Sequence, residues 1–192
     1  MSYYPAFLDL AGKKTVVVGG GRVAERKVRS LLKAGASVVV ISPAITARLK
    51  RHVEKGNVTH IKRRYRRGDL KSSFLAIAAT DSKDVNMRVA RDAPLLCNVV
   101  DCADLSNFIV PSSINRGALL IAVSTGGISP ALARAIRLEL EDFYGPEFKK
   151  YLGQVKIKRE KALREISDPL ERKRYLKALG ARCVPDKIRG KK

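Results

Sequence analysis

The chain has 192 residues, of which 45% are hydrophobic, and this length fits one sizeable domain or one domain with a smaller extension. No apolar stretch approaches the roughly 20 residues that cross a bilayer. The N-terminus also lacks the pattern of a signal peptide, so we expect a soluble, cytoplasmic protein. The net charge of +21 indicates a nucleic acid, an acidic membrane surface or a polyanionic small substrate as partner, or a habit of the lineage with no specific partner.

Cysteine and histidine usage argues against a metal centre or a disulfide framework. Cys97, Cys102 and Cys183 do not form a paired set, and we expect a buried thiol and a loop thiol at the first two. His52 and His60 lie apart from any carboxylate cluster, so we expect no bound metal.

The N-terminal part of the chain carries a glycine turn between a predicted strand and a predicted helix. The apolar run at residues 16–18 ends in three glycines, and apolar residues then recur at helical spacing. This context favours dinucleotide binding, with the phosphates on the free N–H groups of the helix N-terminus. The competing interpretation is a structural turn that has lost its ligand. The residues predicted to bind the cofactor here are Gly19 for the tight turn, Gly20, Gly21 for close approach of the pyrophosphate, Arg22, Val23, and Ala24 for helix packing.

A second buried strand, residues 36–41, is predicted to end where many NAD-binding folds place an acidic residue that binds the ribose. Ser42 and Pro43 occupy this position, and we include both among the cofactor-binding residues. Because no acid is present, the sequence does not choose between NAD and NADP. A basic helix at residues 45–55, a strand at residues 58–61 and the basic run at residues 62–67 follow.

Two further buried strands are predicted at residues 74–79 and 95–100, with a helix at residues 85–93 between them. Alternating strands and helices at this spacing indicate a parallel α/β sheet. In such a sheet the carboxyl ends of the strands face the ligand crevice. We therefore expect Thr80 and Asp81, which follow the first of these strands, to contact the cofactor.

Asp101 follows the last predicted strand and is the strongest catalytic candidate. Removing two hydrogens from a substrate requires a hydride acceptor and a base, and a partly buried carboxylate can serve as the base. Alternatively, Asp101 caps a turn or binds backbone N–H groups. Asp81 competes for the role, and Asp104 does so less strongly.

The regular alternation of predicted strands and helices ends after Asp101. An extended segment at residues 108–111, a turn at residues 115–117 and a strand at residues 119–123 come first. Ser129 is predicted to cap a helix over residues 131–143, with Pro130 at its first position. The glycine turn at residues 124–130 offers N–H groups to an anion or simply caps this helix. The predicted linker 145–146 leads to basic amphipathic helices at residues 148–166 and 169–179.

Several of these segments together resemble the precorrin-2 dehydrogenase/sirohydrochlorin ferrochelatase family of sirohaem synthesis. The similarity covers roughly residues 4 to 140, in family order, which makes it far more specific than the glycine triplet. It rests on residues 5–8 (PAFL), 17–27 (VVGGGRVAERK), 75–81 (LAIAATD), 97–101 (CNVVD), 108–112 (FIVPS) and 122–134 (AVSTGGISPALAR).

The resemblance implies an NAD-dependent oxidation of precorrin-2 to sirohydrochlorin in a homodimer. In some members insertion of ferrous iron follows in the same cavity, and the sequence does not say whether this chain does the same. The family's key aspartate corresponds to Asp101, and a serine of its active cleft, which can be phosphorylated, corresponds to Ser124. We expect Ser124, Gly126 and Gly127 to bind the substrate, whose many carboxylates suit a cationic cleft.

The family also implies the overall organisation: a Rossmann-like parallel sheet, a small dimerisation region and a C-terminal helical region. We place these at residues 1–112, 113–145 and 146–192. The chain departs from the bacterial forms in the basic run 62–67, which replaces an acidic segment, and beyond residue 145 it matches only in being helical. The rival hypothesis is a regulatory or nucleic-acid-binding module on a dinucleotide fold, but nucleic acid does not explain the 97–101 or 122–134 motifs.

Overall fold

The computed structural model describes residues 3–181 and consists of two compact units that divide between Val110 and Pro111. The first unit contains β1 (Lys14–Val18), α1 (Arg22–Lys33), β2 (Ser37–Ile41), α2 (Ala47–Glu54), β3 (Val58–Ile61), β4 (Leu75–Ala78), α3 (Lys83–Asp92) and β5 (Leu96–Val99). The second contains β6 (Ser112–Arg116), β7 (Leu119–Val123), α4 (Pro130–Phe143), α5 (Phe148–Glu165) and α6 (Pro169–Ala181).

The first unit is built on a parallel sheet with the strand order β3-β2-β1-β4-β5. The chain winds outward from β1 to β3, returns to the other side of β1, and continues through β4 to β5. The strand order therefore reverses between β1 and β4, which is where such folds bind ligands. The predicted Rossmann-like α/β fold is confirmed.

Each face of the sheet has its own hydrophobic core, because successive side chains of a strand point to opposite faces. Val17 packs with Val28 of α1 and Leu49 of α2 on one face. Val16 packs with Val89 of α3 on the other. The central strands are buried on both sides, which explains their continuous apolar runs.

The second unit begins with a β-hairpin whose first strand the sequence does not reveal. We predict a turn at residues 115–117, but Asn115 and Arg116 lie in β6, and the reversal falls at Gly117, which has a φ of +71°. The observed turn at residues 117–118 therefore overlaps the predicted one only at Gly117. The strand is mostly polar, and only Ile114 is fully buried, so it lacks the apolar alternation that predicts a strand.

The helices of the second unit agree with their predicted positions. The Ser129 hydroxyl accepts a hydrogen bond from the Leu132 N–H at 3.2 Å, and Pro130 occupies the first turn of α4. The predicted linker at residues 145–146 is a tight corner, since the rings of Tyr144 and Phe148 on either side pack edge to face, 4.9 Å between centroids.

Across residues 3–181, none of the helices combines the length and the apolar character that a membrane span requires. Cys183 lies outside the described residues.

Candidate functional site

A cleft of about 780 Å³ opens at the carboxyl edge of the parallel sheet. Its volume is that of a typical small-molecule site. Nine of the ten predicted cofactor-binding residues line it, while Ala24 lies fully buried behind it against the sheet. The nine are Gly19, Gly20, Gly21, Arg22, Val23, Ser42, Pro43, Thr80 and Asp81.

The first two glycines of the turn are required by the protein itself. Gly19 has a φ of +125°, and a Cβ there would lie 2.1 Å from the carbonyl oxygen of Ala79. A Cβ on Gly20 would lie 1.9 Å from the carbonyl oxygen of Ala44. Both positions therefore bring the turn against the neighbouring loops in a way that only glycine allows.

Gly21 is different, because nothing in the protein requires a glycine there. Its φ is −79°, and an added Cβ would meet no atom within 4 Å. The first backbone hydrogen bond of α1 runs from the Glu25 N–H to the Gly21 carbonyl, at 3.0 Å, and no side chain caps the helix. The preceding N–H groups thus have no partner within the helix and border an open space, an arrangement that fits a pyrophosphate.

Hydrogen bonds of Thr46, which we call the latch, join the glycine turn to the loop after β2. The Thr46 N–H donates to the Gly20 carbonyl at 3.0 Å, and the Thr46 hydroxyl donates to the Glu25 carboxylate at 2.6 Å. That hydrogen bond, together with Arg48 3.5 Å away, holds the pKa of Glu25 below its ordinary value. Thr46 also caps α2 by accepting from the Leu49 N–H at 3.2 Å. Thr46 lines the cleft, although no sequence pattern indicates it.

The ends of β2 and β3 are tied together beside the cleft. Ser42 is nearly buried, and its hydroxyl donates to the Ala44 carbonyl at 2.7 Å. The Ser42 carbonyl lies 2.9 Å from Nε2 of His60. Ser42 therefore lies at the predicted place, and its hydroxyl has a partner already.

The loop after β4 is held by Asn86. The Thr80 hydroxyl donates to the Asn86 side-chain oxygen at 2.8 Å, and the Asn86 amide returns a bond to the Thr80 carbonyl at 2.9 Å. Asp81, the next residue, is exposed at the cleft. Further cleft residues that the sequence motifs do not indicate are Ala44, Ile45, Arg64, Tyr65, Ser82 and Val85.

Asp101 lies two residues beyond β5, at the same edge of the sheet but not among the residues that line the cleft. Its φ is +58°, the left-handed conformation that only a few non-glycine residues adopt and that occurs often at functional sites. The side chain is exposed, whereas the proposed role of base led us to expect partial burial. Its carboxylate makes no hydrogen bond to a residue between 3 and 181, so the turn-capping alternative finds no contact in its favour.

The turn that carries Asp101 is fixed by Ser106. The Ser106 hydroxyl donates to the carbonyl of Cys102 at 2.8 Å and accepts from the Val99 N–H at 2.9 Å. Lys27 of α1 is a charged neighbour of Asp101: burial and the nearby Arg26 lower the Lys27 pKa, and the Asp101 carboxylate acts in the opposite direction.

Three N–H groups of the glycine turn in the second unit, those of Gly126, Ile128 and Ser129, have partners inside the turn. The N–H of Gly126 donates to the Ser124 hydroxyl at 3.1 Å, and that of Ser129 donates to the Thr125 hydroxyl at 3.1 Å. Gly126 and Gly127 both have positive φ. Within the described part of the chain, the Gly127 N–H has no partner and remains available to an anion.

Cys97 and Cys102 lie as the sequence predicts, one as a buried thiol and one as a loop thiol. Cys97 is buried, which raises its pKa to about 11, and Cys102 is half-buried in the turn after β5. Among residues 3–181, no three His, Cys, Asp or Glu side chains are grouped closely enough to hold a metal ion.

Comparison with known families gives two adjacent matches. Residues 6–112, more than half of the chain, match the family described as "Putative NAD(P)-binding". Residues 116–142 match the family described as "Sirohaem biosynthesis protein central".

Curated relatives and a solved structure point the same way. The chain is 42% identical over 157 residues to the siroheme synthase of Nitrosococcus oceani, covering 80% of this chain and 33% of the relative. It is 39% identical over 176 residues to that of Azotobacter vinelandii, covering 90% and 38%. The chain thus spans only about a third of the length of these relatives.

A solved structure described as SirC, precorrin-2 dehydrogenase, superimposes with a TM-score of 0.81 at 26% identity. The match covers 97% of this chain and 96% of that one. The chain therefore belongs to the family described as "Putative NAD(P)-binding", and the segment that follows matches the central family of sirohaem biosynthesis proteins.

Proposed function

We propose that this protein oxidises precorrin-2 to sirohydrochlorin with NAD. The observation that carries the proposal is the likeness to SirC, precorrin-2 dehydrogenase, over nearly the whole of both chains. The glycine turn supports it, because Gly21 leaves the space that a pyrophosphate would fill.

In this proposal the first unit provides the cofactor site and the base. Bound NAD supplies the hydride acceptor. The turn of Gly19, Gly20 and Gly21 with the N-terminus of α1 binds the pyrophosphate, and the loops after β2 and β4 border the rest of the cofactor. Asp101 accepts the proton that leaves the substrate with the hydride, so that two hydrogens are removed in all.

Asp101 suits the role of base for three reasons. It lies at the carboxyl edge of the sheet, its backbone adopts a conformation that costs energy, and its carboxylate has no hydrogen-bond partner among the described residues. The two hydrogen bonds of the Ser106 hydroxyl hold the turn that carries Asp101, and so fix the backbone position from which its carboxylate extends.

We further propose that Ser124, Gly126 and Gly127 contact the carboxylate-rich substrate and that the protein is a cytoplasmic homodimer. Support for the dimer comes from large apolar side chains exposed on and beside α4, namely Ile128 at 91%, Leu132 at 52% and Leu138 at 47%. The division into domains at residues 112 and 145 belongs to the same proposal.

The test is anaerobic incubation of the purified chain with precorrin-2 and NAD. We expect one NADH for each sirohydrochlorin formed, and neither product when NAD is left out. Binding of NAD without any oxidation of precorrin-2 would favour the rival hypothesis of a regulatory module on the same fold.

A further inference from the structure

We propose that Arg64 forms a subsite for the adenosine 2′-phosphate, so that the cleft holds NADP as well as NAD. This inference rests on the proposed function, because it names a second dinucleotide for the same cleft. It begins from the end of β2, where folds specific for NAD place a carboxylate that binds the ribose 2′-hydroxyl and repels a 2′-phosphate.

No carboxylate stands at that position in this chain. Ser42 and Pro43 follow β2 instead, and both line the cleft. The Ser42 hydroxyl donates a hydrogen bond to the Ala44 carbonyl at 2.7 Å, so it is not free to bind the ribose as a donor. The nearby Glu25 carboxylate is already bonded to Thr46 and paired with Arg48. Asp81 also lines the cleft, but it follows β4, which lies on the other side of β1 from β2 and β3. The end of the cleft beside β2 and β3 therefore presents no unpaired acid to a phosphate.

Arg64 lines the same cleft from the loop after β3, the strand that neighbours β2. Its side chain is exposed, and its guanidinium has no hydrogen bond or ion pair with any residue of the described range. It is thus a cation at the cleft wall whose donors are available. A guanidinium binds a phosphate through paired, charge-assisted hydrogen bonds, as in folds that accept NADP.

Hydrogen bonds hold the residues on both sides of Arg64, and they therefore keep Arg64 at the wall of the cleft. Arg63 makes two hydrogen bonds to Asp69, at 2.8 and 2.7 Å, and the Asp69 carboxylate also accepts from the Arg66 N–H at 2.7 Å. Tyr65 is buried, and its hydroxyl donates to Asp92 at 2.7 Å. Two anchored residues thus flank the one whose side chain is free.

Arg67 provides a matched control for Arg64. It belongs to the same basic run and is exposed, but it is not part of the cleft lining. Arg64→Ala and Arg67→Ala remove the same charge, and neither removes a side-chain hydrogen bond or ion pair with a described residue. Both variants should therefore fold, which equal thermal midpoints would verify.

The test is calorimetric titration of the full chain and both variants with NAD, NADP, 5′-AMP and 2′,5′-ADP. We expect the wild type to bind NADP at least as tightly as NAD. Arg64→Ala should weaken the binding of NADP and 2′,5′-ADP by roughly 10- to 100-fold, which corresponds to the loss of a hydrogen bond to a charged group. It should leave the affinities for NAD and 5′-AMP unchanged, and Arg67→Ala should leave the affinities for all four ligands unchanged.

Three results would overturn the subsite: a wild-type preference for NAD above about tenfold, an equal loss of both dinucleotides in Arg64→Ala, or the same loss in Arg67→Ala. If any of these occurs while NAD still supports oxidation of precorrin-2, the inference fails and the proposed function stands. If neither dinucleotide binds, both fail.

Discussion

Asp101 and Asp81 follow neighbouring strands of the sheet, but the structure separates their expected roles. Asp81 borders the cleft, whereas Asp101 lies beyond its lining. Asp101→Ala should therefore bind NAD normally and lose turnover by roughly 10²- to 10⁴-fold, the contribution of a positioned base. Asp81→Ala should instead weaken NAD binding. Steady-state rates at saturating NAD, with binding measured separately, check both; near-wild-type turnover in Asp101→Ala would remove this residue from the mechanism.

At the scale of elements, Thr46 joins the glycine turn to the start of α2. Thr46→Val removes the bond to Glu25 and the cap of α2 and should cost about 1 kcal/mol of unfolding free energy, with a parallel loss of dinucleotide affinity. Thr46→Ser keeps the hydroxyl and is the control. Urea unfolding and NAD titration measure the two effects, and a Val variant as stable as the Ser variant would show that the latch does not stabilise the fold.

The loop from Arg63 to Asp69 should stabilise the fold in a pH-dependent way. The hydrogen bonds from Arg63 hold the pKa of the Asp69 carboxyl below its ordinary value. The ionised carboxylate therefore stabilises the folded state at neutral pH, and this contribution is lost as the pH falls through the lowered pKa. Asp69→Asn should be less stable than the wild type by about 1–3 kcal/mol at neutral pH.

The difference between Asp69→Asn and the wild type should shrink on acidification. Urea unfolding of both proteins across the acidic range measures it. A difference that stays constant with pH would mean that the ion pair contributes nothing.

The sequence predicts the regular elements well, because apolar runs bounded by glycine carry the signal. Val58–Ile61 is a strand with the predicted bounds, and Ser129 caps α4 as expected. The polar strand β6 and the latch are not predictable in this way. Glu25 and Thr46 lie 21 residues apart, so only the completed sheet brings them together. Arg64 lines the cleft from a loop that the Arg63–Asp69 pair holds, and the sequence does not reveal that pair.

For the whole molecule, the apolar side chains exposed in the second unit predict a homodimer. Light scattering at micromolar concentration should give about twice the chain mass of 21.1 kDa. Leu132→Asp should shift the protein toward the monomer, because it places a charge in the proposed interface. An exposed control such as Lys156→Asp should not. A wild-type mass near that of one chain would contradict the dimer.

The central claim is that the cleft beside Gly21 holds the dinucleotide that oxidises precorrin-2. Gly21→Ala should fold, because its Cβ meets no protein atom, but should lose part of the activity, because that Cβ enters the space proposed for the pyrophosphate. Gly21→Asp should fold but lose activity, because it places a negative charge at the pyrophosphate site. The deciding measurement is NAD-dependent formation of sirohydrochlorin by the wild type and both variants. We predict full turnover by the wild type, reduced turnover by Gly21→Ala and none by Gly21→Asp; no oxidation by the wild type, or equal rates in all three, would contradict the claim.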